Sequence, residues 1–193
     1  MARPLLLTFT FFSFLLFVST YVRADESQES SFSETQLERL HKRNKRNAET
    51  AWAKDEKKMS KKEFAEMERD YQQINKNYKA SDIKEVIGNF LKKYKEGNRV
   101  GCATLYLAQK SSGDAREALL KTAIENFSDS YYLDGCNVGG LARLYLASYY
   151  KQTGKNSDAE RLIAEIKKDY KDAQDHSGKP ILDAAQALAK QQP

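Results

Sequence analysis

Proline, cysteine and histidine are scarce: the 193 residues hold three Pro, two Cys and two His. Each scarcity removes a class of reading. Neither His-x-x-x-His nor Cys-x-x-Cys occurs, and His41 and His176 are too far apart for a recognisable zinc pattern, so no metal site is expected. Gly-x-Ser-x-Gly, the phosphate-binding loop and Gly-x-Gly-x-x-Gly are also missing. No motif points to a hydrolase nucleophile, a nucleotide or any other cofactor, and the chain is expected not to be an enzyme. Three prolines and nine glycines in a chain rich in Ala, Leu, Lys, Glu and Gln favour helix throughout.

Long apolar stretches are confined to one place. The chain opens MARPLLLTFTFFSFLLFVSTYVRADES, with Arg3 followed by an almost unbroken apolar run from Leu5 to Val22. Val22, Arg23 and Ala24 then lead into a polar segment. This is the layout of a secretory signal, with cleavage expected after Ala24, which places the mature protein outside the cell or in the periplasm. The alternative is an uncleaved anchor, since about 18 apolar residues suffice to cross a bilayer. The formal charge of +5 falls by two when Arg3 and Arg23 are removed. That mildly basic, exported chain is not expected to bind nucleic acid.

Residues 25–33 are polar and are expected to form a disordered lead-in. Ser33 with Gln36, and Ser60 with Glu63, have the spacing of the capping box, which predicts helices over about 34–58 and 61–79. In the second, Phe64, Met67, Tyr71, Ile74 and Tyr78 form one stripe. In the first, only Leu37, Leu40, Ala48 and Trp52 are apolar anchors. Residues 34–80 thus read as a charged helical arm, either packed on the rest or projecting as a hairpin or coiled coil. Its run 41-HKRNKR-46 reads as a solvated basic patch. Contact with anionic lipid or cell-wall polymer, or a furin-type processing site, are the other readings.

From residue 81 the chain repeats itself. Ser81 is expected to cap a helix over about 82–96. The segment 86-VIGNFLKKYKEG-97 lines up with 119-LLKTAIENFSDS-130 and 162-LIAEIKKDYKDA-173, at offsets of about 33 and 43 residues. Each is one amphipathic helix that ends in an aromatic: Tyr94, Phe127 or Tyr170. Each is followed by a loop and a second helix, over about 100–111, 138–152 and 180–190. Two of these second helices share the text 103-ATLYLAQ-109 and 142-ARLYLAS-148. Repeats of this length predict stacked helical hairpins, and residues 81–193 form the repeat domain.

The stretch 142-ARLYLASYYKQTGKNSDAERLIAEIKKDY-170 resembles the tetratricopeptide repeat. Ala147, Tyr150, Gly154 and Ala159 stand at the family's positions, and small residues there let antiparallel helices cross closely. The stretch 103-ATLYLAQKSSGDAREALLKTAIENF-127 shares Gly113 and Ala118 but has a shorter helix or turn. The resemblance implies an all-α solenoid of stacked hairpins preceded by the helical arm. It further implies a scaffold that binds a protein or peptide in a groove lined by the first helices. Carried over residue by residue, the groove would be lined by Gln109, Arg143, Leu144, Ser148 and Lys151, with Tyr106 and Tyr145 in the core.

The glycines of 135-GCNVGG-140 fit close helix packing better than a phosphate cradle. Asp134, Asp175 and His176 occupy comparable loops, and convergence of their side chains would make a site there. Cys102 and Cys136 are the only cysteines, and an exported protein admits a disulfide between them as readily as two separately buried thiols. The alternative to a groove-binding scaffold is a structural subunit that self-associates, or attaches to an envelope component, through residues 34–80.

Overall fold

The structure is a computed structural model that describes residues 31–191. The expected signal sequence and residues 25–30 of the lead-in lie outside the described residues. From Ser31 onward the chain forms one compact unit. It is all-α: α1 (Glu34–Lys58), α2 (Lys61–Lys76), α3 (Ile83–Lys93), α4 (Asn98–Lys110), α5 (Gly113–Asn126), α6 (Val138–Gln152), α7 (Asn156–Asp169) and α8 (Ile181–Lys190). No helix among the described residues is long and apolar enough to cross a membrane.

Both expected capping boxes are present. Ser33 and Gln36 exchange hydrogen bonds at the start of α1, and Ser60 and Glu63 do so at α2. Each satisfies two amides that the first helical turn would otherwise leave open. Ser33 is therefore ordered as a cap, and Ser31 donates to Asp183 Oδ1 at 2.5 Å, so the lead-in is tied down by its last residues. Two boundaries differ from expectation. α2 stops at Lys76 because the Asn77 side chain bonds back to Gln73 O, which puts Tyr78 beyond the stripe and leaves it 48 % exposed. α3 starts after Asp82, not Ser81, and stops at Lys93. The chain must then extend through Tyr94 to reach Gly97, whose φ of 110° starts the turn into α4.

Adjacent helices pack in sequence from α3 to α8, and α6 also touches both α4 and α8. The repeat is visible residue by residue. Ile87, Leu120 and Ile163 are buried, as are Phe90, Ala123 and Ile166. Tyr94, Phe127 and Tyr170 are the C-caps of α3, α5 and α7, each half-buried. Full burial of one such Leu or Ile contributes roughly 1.5–3 kcal/mol. Antiparallel bridges pair Tyr131 with Asn137 and Gln174 with Pro180, so the loops entering α6 and α8 have the same shape. A Cβ on Gly101 would meet Phe127 and Ser130, and one on Gly140 would meet Tyr170 and Ala173, which are the same positions one repeat later.

Of the two alternatives for residues 34–80, α1 and α2 take the packed one. α1 lies across the loops that lead into α4, α6 and α8 and is fastened to each. Asp55 accepts from the amides of Asn98 (2.7 Å) and Arg99 (3.1 Å). Trp52 Nε1 donates to Tyr131 O at 2.6 Å, and Asn44 Nδ2 donates to Asp172 O at 2.8 Å. The buried face of α1 is Leu40, Asn44, Ala48, Ala51, Trp52 and Asp55, a stripe at helical spacing in which two members are polar.

Candidate functional site

The loops entering α6 and α8 meet through one pair. His176 Nδ1 lies 2.8 Å from Asp134 Oδ2, and the Tyr132 ring stands edge-on to the imidazole with centroids 4.6 Å apart. Partial burial raises the Asp134 carboxyl, but hydrogen bonds from His176 and the Cys136 amide outweigh it and hold the group below its usual range. Asp175 does not join them. Its Oδ1 accepts from the amides of Ser177 and Lys179 and from the Ser177 hydroxyl, shaping its own turn. The expected trio thus resolves into an exposed His–Asp hydrogen bond between loops and a separate turn. The Ser177 hydroxyl, next to His176 in the chain, is directed to Asp175. Among the described residues no group of three or more His, Cys, Asp or Glu is placed to hold a metal ion.

Cys102 and Cys136 are both buried and unbonded. Burial pushes each thiol well above its ordinary value, because a thiolate there would lose its hydration. Cys102 Sγ also donates to Tyr131 O at 3.3 Å, beside the Trp52 bond to the same carbonyl. Both thiols are therefore expected to resist iodoacetamide in the folded protein and to react together only in denaturant. Mass spectrometry before and after unfolding checks this, and a chain two hydrogens lighter that never alkylates would show a disulfide.

The five groove positions separate into two groups. Leu144 and Ser148 are 5 % and 4 % exposed, packed in the core of α6. Arg143 is half-buried and committed: Nε donates to Glu165 at 2.9 Å, Nη1 to Ser128 Oγ at 3.0 Å, and the guanidinium lies 4.4 Å from the Tyr170 ring centre. These three hold α6 against its neighbours and do not line an open groove. Gln109 and Lys151 remain half-buried at the margins. Tyr106 and Tyr145, expected in the core, are packed against it but not fully enclosed. They occupy the same place in α4 and α6 and are half-buried, whereas Leu105, Ala108, Leu144 and Ala147 around them are buried. The Tyr106 hydroxyl donates to Tyr78 O at 3.1 Å, bringing the exposed Tyr78 alongside, and Tyr149 lies one turn beyond Tyr145.

Two open clefts flank α1. One, of about 390 Å³, is walled by Lys54, Lys58, Glu96, Glu125 and Asp129 among others. The second, of about 420 Å³, includes Arg43, Asn47, Asp129, Asp169 and Tyr170. Both are polar, unlike the apolar pockets that enclose small ligands. No family model, curated protein or solved structure matches this chain. The residues themselves therefore carry any functional reading.

One ionic cluster lies at the far end of the helices. Glu117 accepts from Tyr150 OH at 2.8 Å and Lys155 Nζ at 3.0 Å and pairs with Lys121 at 2.8 Å. Hydrogen bonds from Lys121, then Lys155 and Tyr150, lower its pKa to about 2. A depressed carboxylate stabilises the fold above its unfolded value and loses that contribution as pH falls through the folded value. Glu117→Gln should therefore flatten the acid limb of a melting-temperature profile between about pH 4.5 and pH 2. An unchanged limb would assign acid sensitivity elsewhere.

Proposed function

We propose that the protein is an exported, non-enzymatic helical-repeat scaffold of tetratricopeptide-like arrangement that binds an extended segment of a protein partner across the tyrosine-bearing face of α4 and α6. The observation behind this reading is the repetition of Tyr106 and Tyr145 at one register. Both are partly exposed in helices most of whose residues are buried. Tyrosine offers a large, rigid contact area with a polar tip, and for this reason it is enriched where proteins bind one another. Lys110, whose ammonium lies 5.6 Å from the Tyr106 ring centre, adds charge at the rim.

The competing reading, self-association through residues 34–80, has less behind it. The apolar members of the α1 stripe are already buried against the repeats and are not free to pair with another copy. Crosslinking capture in the native compartment, comparing the intact chain with a Tyr106→Ser, Tyr145→Ser variant of matched melting temperature, tests the proposal. Loss of the captured partner is expected. An identical partner set from both proteins would overturn the tyrosine face as the binding site.

A further inference from the structure

The face of α1 that points away from the repeats is a different surface from the tyrosine face. Leu40, Asn44, Ala48, Trp52 and Asp55 turn inward, so the helical period turns Arg39, Lys42, Arg46 and Lys57 outward, all exposed. Arg39 and Lys57 are 18 residues apart, five full turns, which makes a row about 27 Å long. Thr50 and Ala53 fill the gap in the row, and no aromatic or large aliphatic side chain stands on it. Glu38, Glu49 and Glu56 border one flank. Arg43 on the other flank is neutralised by Asp172 at 2.8 Å. The row is held at a fixed angle, because the Asp55, Trp52 and Asn44 hydrogen bonds prevent α1 from rolling.

We propose that this ridge seats the protein on an anionic phospholipid bilayer, by charge alone and without insertion. Charge complementarity selects an anionic partner. Shape narrows the choice. The ridge is the exposed outer side of a single helix, which suits a plane, whereas a linear polyanion is held better by a groove. The absence of outward aromatics removes the stacking that single-stranded nucleic acid would use. The absence of outward apolar anchors removes the desolvated centre that a protein interface needs, and it also rules out burial among acyl chains. Binding is therefore reversible and strongly salt-dependent.

The compact unit begins at Ser31, so a chain that starts at Asp25 keeps every described element and leaves out the apolar N-terminal run. That chain is tested by co-sedimentation with vesicles of phosphatidylglycerol and phosphatidylcholine in equal parts, against phosphatidylcholine alone, at low and high salt. It should sediment only with the anionic vesicles at low salt. Arg39→Glu with Arg46→Glu should weaken this at least about tenfold. Lys167→Glu with Lys168→Glu, on the exposed side of α7, makes the same change in net charge and should leave binding within about twofold. Equal losses in both variants would reduce the effect to net charge and overturn the ridge. Sedimentation with neutral vesicles would overturn the charge mechanism, and tighter binding to heparin or duplex DNA would overturn the bilayer as partner. Arg39→Gln with Arg46→Gln is the substitute if reversal impairs folding, with a loss of several-fold expected.

Discussion

Asp55→Ala is expected to destabilise the protein by about 3–5 kcal/mol, a fall of roughly 10 °C in melting temperature for a domain of this size. Asp55 is 1 % exposed, and one carboxylate serves three donors: the amides of Asn98 and Arg99 and the Arg99 Nη1 at 2.9 Å. Alanine would leave two first-turn amides of α4 unsatisfied. It would also strip a charge partner from Arg99, itself 4 % exposed and held between the Trp52 and Phe64 rings, 4.2 and 4.8 Å from their centres. Glu68 would remain as its other carboxylate. The loss comes from stranded polar groups, not from the intrinsic value of the ion pair. Adding Arg99→Met should therefore recover part of it, since a buried pair replaced by apolar side chains is often close to neutral. Urea unfolding of the two single variants and the double variant checks both points. Additive losses would show that the two residues act separately.

The same residue explains what the sequence did and did not disclose. Capping boxes are local, so Ser33 with Gln36 and Ser60 with Glu63 were legible from spacing alone. The aromatic ends of α3, α5 and α7 were legible because a repeat writes the same packing three times. The seating of α1 was not. A search for apolar periodicity finds Leu40, Ala48 and Trp52 but passes over Asn44 and Asp55, whose burial depends on loop carbonyls and amides far away in the chain. The groove positions failed for a related reason. Family register placed Leu144 and Ser148 outward, but both are buried, and it is Tyr106 and Tyr145 that stay partly open. Tyrosine suits both a core and a rim, so its identity alone could not say which side of the helix faced solvent. Convergence of Asp134 with His176 was half legible: equivalent loops bring two of the three residues together, while Asp175 is drawn into its own turn by Ser177 and Lys179.

Gly139→Ala and Gly88→Ala should move stability in opposite directions, although both replace a helical glycine with the best helix former. In α3, a Cβ on Gly88 meets nothing within 4 Å. The gain is then the propensity difference, about 0.5–1 kcal/mol. In α6, a Cβ on Gly139 would lie 2.5 Å from Ser128 O and 2.7 Å from Ser128 Cα. Those are backbone atoms of the loop just after α5, and they cannot swing aside as a side chain would. Either α6 or the loop after α5 must shift, and Arg143 resists both, because its Nη1 bonds Gly139 O at 3.1 Å and Ser128 Oγ at 3.0 Å. Overpacking of this kind outweighs the propensity gain and costs about 2–3 kcal/mol net. Thermal unfolding of both variants isolates the packing contribution, since the propensity term is common to the pair. A stabilised Gly139→Ala would mean that α5 and α6 do not approach this closely. The glycines of 135-GCNVGG-140 would then need a reason other than helix contact.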